Sequence, residues 1–157
     1  RSPEKLGGNT RMSLAGNMAL TFPGGYLKTV TVAATNGNEV TNKSPGTGKR
    51  WRILYGSITL VCDATVASRA IRTQLTDGSN VLTEIHQTPG ITASQTRTLS
   101  YAPGGYNSED ISAANDYVTT LGNLAIIEGD DQLRITIGSG VAGDSYSGRF
   151  RVLEFGL

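Results

Sequence analysis

The residue types that most often carry enzyme or metal chemistry are nearly missing from this chain, which has one histidine, His86, and one cysteine, Cys62. A Ser-His-Asp or Cys-His site would have to use His86. That residue falls on the polar side of an alternating stretch, which is typical of a solvent-facing strand residue. Cys62 ends an apolar run and is expected to be buried and unreactive. Because zinc needs three or four His or Cys ligands, these two residues exclude a zinc site.

Calcium needs only oxygen ligands, and several aspartates fall in or near predicted turns. They are Asp63, Asp77, Asp116, Asp130, Asp131 and Asp144. None belongs to the spaced Asp/Asn and Gly pattern of a calcium loop, and aspartate also builds turns through local hydrogen bonds. With 13 acidic residues in the chain, no one pair indicates a glycosidase. We therefore predict no metal, no cofactor, no catalytic residue and no enzyme activity.

The glycines from Gly138 to Gly143 have the spacing of a dinucleotide-binding loop. Such a loop requires a strand before it and a helix after it, so that the helix N-terminus can face a phosphate. This segment stands between two predicted strands. It is therefore predicted as a turn.

Arginine outnumbers lysine ten to four. The arginines within predicted strands are Arg50, Arg52, Arg69, Arg72, Arg97, Arg134, Arg149 and Arg151. An arginine on a strand face either covers apolar neighbours or contacts a partner through its planar guanidinium. We assign partner contact to Arg50, Arg52, Arg72 and Arg97. The net charge of +1 gives no reason to expect nucleic acid.

The elements that must position these residues are β-strands. Short alternating stretches rich in Val, Ile and Thr recur with turn signals roughly every 8–12 residues, and no window shows helical periodicity. No stretch approaches the ~18 apolar residues that cross a membrane, so no membrane partner is predicted. The pattern predicts an all-β chain, an antiparallel β-sandwich or jelly roll, as a single domain over residues 25–157. Its predicted inter-sheet core is Trp51, Ile53, Ile58, Leu60, Ile71, Leu75, Leu133, Ile135, Phe150 and Val152.

Three local features refine the strand prediction. Within the predicted strand Lys49–Cys62, alternation places Tyr55 on the core face with Trp51, and Gly56 is predicted as a bulge that switches the faces. The segment Thr41–Gly48 is predicted as a loop. The next strand is predicted to begin at Val66.

Residues 1–24 follow neither a strand nor a helix period. They are predicted to form an extended N-terminal arm that lies on a neighbouring surface, and the alternative is a frayed terminus. The arm residues assigned to partner contact are Arg1, Lys5, Leu6, Arg11, Met12, Leu14, Met18, Leu20 and Phe22.

The stretch Gly48–Gly56 runs into Ala64–Arg72, and Gln132–Ile135 and Ala142–Tyr146 follow. This order of elements, over roughly residues 48–155, resembles small jelly-roll structural proteins of tailed bacteriophages. The resemblance implies a non-enzymatic virion protein, made in the host cytoplasm, that decorates or cements the capsid surface. It implies the major capsid protein as partner, and self-association as a homotrimer. Sheet edges in need of cover point to an oligomer as well.

The alternative is a jelly-roll module of a tail or head fibre that binds a receptor or glycan. It would use aspartate loops and tyrosines that border Gly-rich turns, namely Tyr26, Tyr101, Tyr106 and Tyr146. The single tryptophan, Trp51, is predicted to face the core rather than to offer a sugar platform. The arm and this tryptophan favour the capsid role.

Overall fold

The computed structural model describes residues 24–86, 90–102, 116–120 and 126–157. The arm predicted over residues 1–24 lies outside this part of the chain except for Gly24, so its nine predicted contact residues lie outside it too.

The described residues form ten strands and no helix, hence no helix that could cross a membrane. The strands are β1 (Gly25–Asn36), β2 (Thr41–Lys43), β3 (Lys49–Val61), β4 (Ala70–Thr76), β5 (Val81–His86), β6 (Thr96–Ala102), β7 (Asp116–Thr120), β8 (Ile126–Glu128), β9 (Gln132–Gly138) and β10 (Ser145–Gly156). Stretches rich in β-branched residues supply these strands, and Gly, Asn and Asp supply several of the turns between them.

Two sheets share one core. The larger sheet has the order β1-β10-β3-β6-β7, with β8 beside β3, and the smaller has the order β2-β9-β4-β5. Neighbouring strands are antiparallel except β6 and β7, which are parallel. The predicted all-β antiparallel sandwich is confirmed.

The strand pairs are nested along the chain. β1 pairs with β10, β2 with β9, β3 with β6, and β4 with β5. The first and third of these pairs lie in the larger sheet, and the second and fourth lie in the smaller sheet. The chain therefore behaves as one long antiparallel ribbon that is wound across the two layers.

The core lies between the sheets, and alternation predicted it well. Nine of the ten predicted core residues are buried, from Trp51 at 3% exposure to Val152 at 0%. Leu75 is only half-buried and packs against the cluster from its margin. The register of β4 with β5 shifts after Leu75, where Leu82 of β5 is the extra residue, whereas the pairing of Leu75 with Leu133 of β9 keeps it on the core face. Thr76, at the end of β4, is buried as well.

The face switch in β3 occurs two residues earlier than predicted. The register with β10 shifts between Ile53 and Tyr55, so that Leu54 is the extra residue of the bulge. Gly56 is paired normally, and a Cβ there would collide with the ring of Phe150. The bulge turns Tyr55 away from the core, and its exposure is 53%.

Two strand limits also differ from the predicted ones. Thr41–Lys43, predicted as loop, pairs with β9 as β2, because three residues are too few to show an alternating pattern. β4 begins at Ala70 rather than Val66, which is 93% exposed.

Candidate functional site

A groove crosses the outer, solvent-facing side of the larger sheet. Its volume is about 610 Å³. It is lined by Thr29, Tyr55, Gly56, Ser57, Ser100, Tyr101, Arg149 and Arg151. These residues come from four adjacent strands, β1, β10, β3 and β6, so the sheet register itself determines their relative positions.

Two rows of cross-strand neighbours form the groove. In one row Arg151 lies between Thr29 and Tyr55, and in the next Arg149 lies beside Ser57, which pairs with Ser100. Directly opposed residues share a face and contact one another. The Arg151 guanidinium donates a hydrogen bond from Nη1 to Thr29 Oγ1 at 2.5 Å.

Positive charge in the groove is not neutralised within the described part of the chain. Neither Arg149 nor Arg151 is within ion-pair distance of a described carboxylate. The positions of β1, β10, β3 and β6 that share their face carry hydroxyl, apolar or arginine side chains and no acid. The groove can therefore receive an anionic or hydroxyl-rich group.

The four arginines assigned to partner contact are not brought together. Arg50 and Arg52 lie on the outer face of the larger sheet where β8 pairs with β3, and Arg50 Nε is 2.7 Å from Glu128 Oε1. Arg72 is exposed on the outer face of the smaller sheet. Arg97 opposes the buried Leu60 and is half-buried on the core side of β6, so it does not share the outer face with Arg50 and Arg52.

Sequence reasoning missed Tyr55 as a groove residue and left Arg149 and Arg151 unassigned. Alternation placed Tyr55 in the core, and only the bulge at Leu54 turns it outward. The adjacent Gly56 was the available signal of a face switch. Arg149 and Arg151 are two residues apart on one strand, which predicts that their side chains lie on the same face. The sequence did not show that the neighbouring strands place no acid on that face.

The tyrosines predicted beside turns contribute little to a ligand surface. Tyr101 and Tyr146 are each 1% exposed, and burial raises the pKa of both phenols. The Tyr101 hydroxyl hydrogen-bonds the hydroxyl of Thr73. Tyr26 is 47% exposed and donates its hydroxyl to Glu154. Tyr106 lies outside the described residues.

Two of the calcium candidates are brought together, but around an arginine. Arg69 is fully buried, and its Nε donates to Asp144 Oδ2 at 3.0 Å while its Nη2 donates to Asp63 Oδ1 at 2.7 Å. Its Nη1 donates to the carbonyls of Thr65 and Ala67. The guanidinium thus occupies the position a cation would take, and the expectation of Arg69 on a strand face was wrong.

The carboxylate of Asp144 also accepts hydrogen bonds from two backbone amides. Asp63 N and Val141 N donate to it at 2.9 and 3.0 Å. Burial pushes the pKa of Asp144 upward, but the amide of Val141, the Arg69 guanidinium and the amide of Asp63 together hold it below its ordinary value. This cluster ties the β3–β4 connection to the β9–β10 turn, so its role is structural.

A second buried carboxylate, Glu154, lies at the other end of β10. Trp51 Nε1 donates to its Oε2 at 2.6 Å, and Lys28 Nζ donates to the same oxygen at 2.7 Å. Lys49 Nζ is 3.3 Å from Oε1. Burial raises the pKa of Glu154 above its ordinary value.

The remaining candidates for chemistry stay apart. The side chain of His86 is half-exposed, and its Nδ1 lies 3.5 Å from Glu84 Oε1. Cys62 is buried, as predicted. Burial is the main cause that raises the pKa of the Cys62 thiol. Asp77 accepts from the amides of Ser79 and Asn80 and closes its own turn. The described residues contain no group of three or more His, Cys, Asp or Glu that could hold a metal.

Comparison with known proteins gives no relative: no family model, no curated protein and no solved structure matches this chain.

Proposed function

We propose that the protein is a jelly-roll structural protein of a bacteriophage virion that decorates the capsid surface and binds the major capsid protein. The observation that carries the proposal is the nested pairing of β1 with β10, β2 with β9, β3 with β6 and β4 with β5. Nested pairing of eight strands across two sheets supports a jelly roll, an architecture used by viral capsid and lectin domains. The support is a fold-level analogy joined to the sequence resemblance.

Contact with the shell is assigned to two parts of the chain. The first is the N-terminal arm, whose apolar residues have no periodic face of their own and would be buried against a neighbour at ~25 cal/mol per Å². The second is formed by the half-buried Arg50 and the exposed Arg52 beside β8, and by the exposed Arg72 on the opposite sheet. Self-association as a homotrimer would cover the edge strands of both sheets.

The test uses undecorated shells of the phage whose genome encodes the chain. The full chain is expected to sediment with the shells and to appear as regular surface density by cryo-electron microscopy. A chain lacking residues 1–22 is expected to remain folded and to bind at least about tenfold more weakly. Absence of the full chain from both shells and purified virions would overturn the proposal. If the truncated chain binds the shells as tightly as the full chain, the arm has no part in shell binding, and the rest of the proposal is unaffected.

The oligomer is tested separately. Analytical ultracentrifugation at tens of micromolar (about 50 μM, well above a micromolar Kd) is expected to show a trimer. A monomer at that concentration would contradict self-association away from the shell.

A second candidate is a module that binds a receptor glycan, and the groove of about 610 Å³ favours it. Its volume lies within the range of small-ligand sites, ~300–1,000 Å³. Immobilised glycans that retain the full chain, and release it when Tyr55 is replaced by alanine, would support this function. Retention that does not depend on Tyr55 would contradict a role of the groove.

A further inference from the structure

We propose that the groove on the outer face of the larger sheet binds a sugar that bears a carboxylate, such as a uronate or a sialate residue of a glycan. This inference rests on the second candidate function and names the ligand class of that same groove. It is independent of the shell contact, which is assigned to other residues.

The charge of the groove selects an anion. Arg149 and Arg151 project from the same side of β10, with Cα atoms about 7 Å apart, and no described carboxylate pairs with either. The whole chain carries a net charge of only +1, so the preference for an anion is local to this face rather than a field of the whole protein. A guanidinium binds a carboxylate through two parallel hydrogen bonds.

The rest of the lining suits a sugar ring. Ser57 and Ser100 are cross-strand neighbours, and their hydroxyls both donate and accept, as the hydroxyls of a sugar require. Tyr55, at 53% exposure, offers a ring face at the side of the groove. Tyr101, the other aromatic residue of the lining, is buried in the core, so the lining offers an incoming group hydroxyl and guanidinium side chains and the ring of Tyr55, which favours a glycan over an acidic peptide.

The two arginines have different parts in this arrangement. Arg151 already donates to Thr29, so its guanidinium is held at the margin of the groove next to Tyr55. Within the described residues, no hydrogen bond or ion pair engages the Arg149 guanidinium. Arg149 is therefore the group assigned to the carboxylate, and Tyr55 and Ser57 are assigned to the ring.

The experiment measures binding to the full chain by isothermal titration calorimetry. The acidic probes are trigalacturonate and sialyllactose. Their uncharged counterparts are a neutral galactose trisaccharide and lactose, in that order. A glutamate hexapeptide tests for an acidic peptide as the ligand. The variants are R149Q and Y55A, with R72Q as the matched control because Arg72 is also an exposed strand arginine but lies on the other sheet. Circular dichroism establishes that each variant is folded.

At least one acidic sugar is expected to bind about tenfold or more tightly than its neutral counterpart, and R149Q is expected to remove that difference. Y55A is expected to weaken binding of the acidic sugar, and R72Q to leave it unchanged. An equal loss in R72Q, or tighter binding of the hexapeptide, would overturn the inference. If neutral sugars bind as tightly as acidic ones and Y55A loses both, the inference of an acidic sugar is overturned. The second candidate function, glycan binding in the groove, is then retained. No binding of any sugar would overturn both.

Discussion

The two ends of β10 each bury one carboxylate, and the two carboxylates are held by different kinds of donor. Asp144 comes directly before the strand and Glu154 near its end, roughly 33 Å away along an extended chain. Asp144 accepts from the buried guanidinium of Arg69 and from two backbone amides. Among the described residues, Glu154 accepts from the side chains of Tyr26, Trp51 and Lys28 and forms an ion pair with Lys49. The side chains of the two lysines are 37% and 49% exposed.

The two pKa values move in opposite directions. Burial raises the pKa of Glu154, whereas the amide of Val141 and the other donors outweigh burial and lower the pKa of Asp144. Backbone amides and a guanidinium enclosed by protein cannot turn toward water, so they favour the charged carboxylate at all times. Half-exposed lysines share their hydrogen bonds with solvent. The comparison teaches that the rigidity of the donors, rather than their number, stabilises a buried charge.

The largest expected effect is at the Asp144 end. Asp144→Asn would leave the charge of Arg69 buried with one carboxylate partner fewer, and we expect the free energy of unfolding to fall by about 3–5 kcal/mol. Urea denaturation at pH 7 measures it. Asp130→Asn is the control, because Asp130 is exposed and its carboxylate accepts, among the described residues, one long hydrogen bond, from Thr47 Oγ1 to its Oδ1 at 3.4 Å. A loss below about 1 kcal/mol would place this cluster with ordinary surface pairs.

The second effect, at the Glu154 end, is smaller. Trp51→Phe keeps an aromatic ring in the core but removes the N–H that donates to Glu154 at 2.6 Å. Because the acceptor is charged, we expect a loss of about 1.5–3 kcal/mol. A double-mutant cycle with Glu154→Gln isolates the Trp51–Glu154 interaction. Strictly additive losses would show that the indole contributes packing only.

A third prediction concerns pH and separates the two ends by sign. Asp144 has a lowered folded pKa, so its stabilisation is present above its unfolded pKa of about 3.9 and is lost as the pH falls through the folded value. Glu154 has a raised folded pKa, so its contribution to the stability of the fold is fully present below its unfolded pKa of about 4.3. That contribution is lost as the pH rises through the folded pKa.

Consequently the stability gap between the wild type and Asp144→Asn should narrow in acid. The free energy of unfolding of Glu154→Gln should differ from that of the wild type by about 1 kcal/mol or less at pH 7. Near pH 4 the variant should be less stable relative to the wild type than it is at pH 7. Urea denaturation from pH 3 to pH 7 (a span of about 4 units around both ordinary values), with carboxyl carbon NMR titration, measures both trends. A Glu154 midpoint at or below its ordinary value would mean that the lysines, not burial, dominate.

The smallest effect is expected from the exposed donor. Lys49→Gln removes an ammonium that lies 3.3 Å from Glu154 Oε1, and the Lys49 side chain is 49% exposed. We therefore expect the free energy of unfolding to fall by at most about 0.5 kcal/mol. About 1 M sodium chloride should abolish even that difference, because salt screens exposed pairs. A larger loss that persists in salt would show that the ammonium is held as firmly as the guanidinium of Arg69.

Much of the architecture was predictable because it follows from local patterns. A period of two along a strand decides which side chains face the core, and this is why Trp51, Ile58 and Phe150 were predicted correctly. The candidate groove was less accessible, because its residues come from β1, β3, β6 and β10. Tyr55 joins it only through a bulge, and the register with β10 determines where that bulge lies.

The sequence by itself determined the all-β class, the alternating core, the burial of Cys62 and the turn at Gly138–Gly143, since each depends on residues that are near one another in the chain. The tertiary structure alone decided that Arg69 is buried between Asp63 and Asp144, that Arg97 is on the core side, and that the outward positions of β1, β3, β6 and β10 around Arg149 carry no acid. These properties arise where strands distant in sequence are paired. Residues ~80 positions apart meet there, as Asp63 and Asp144 do, and composition does not encode which strand lies beside which.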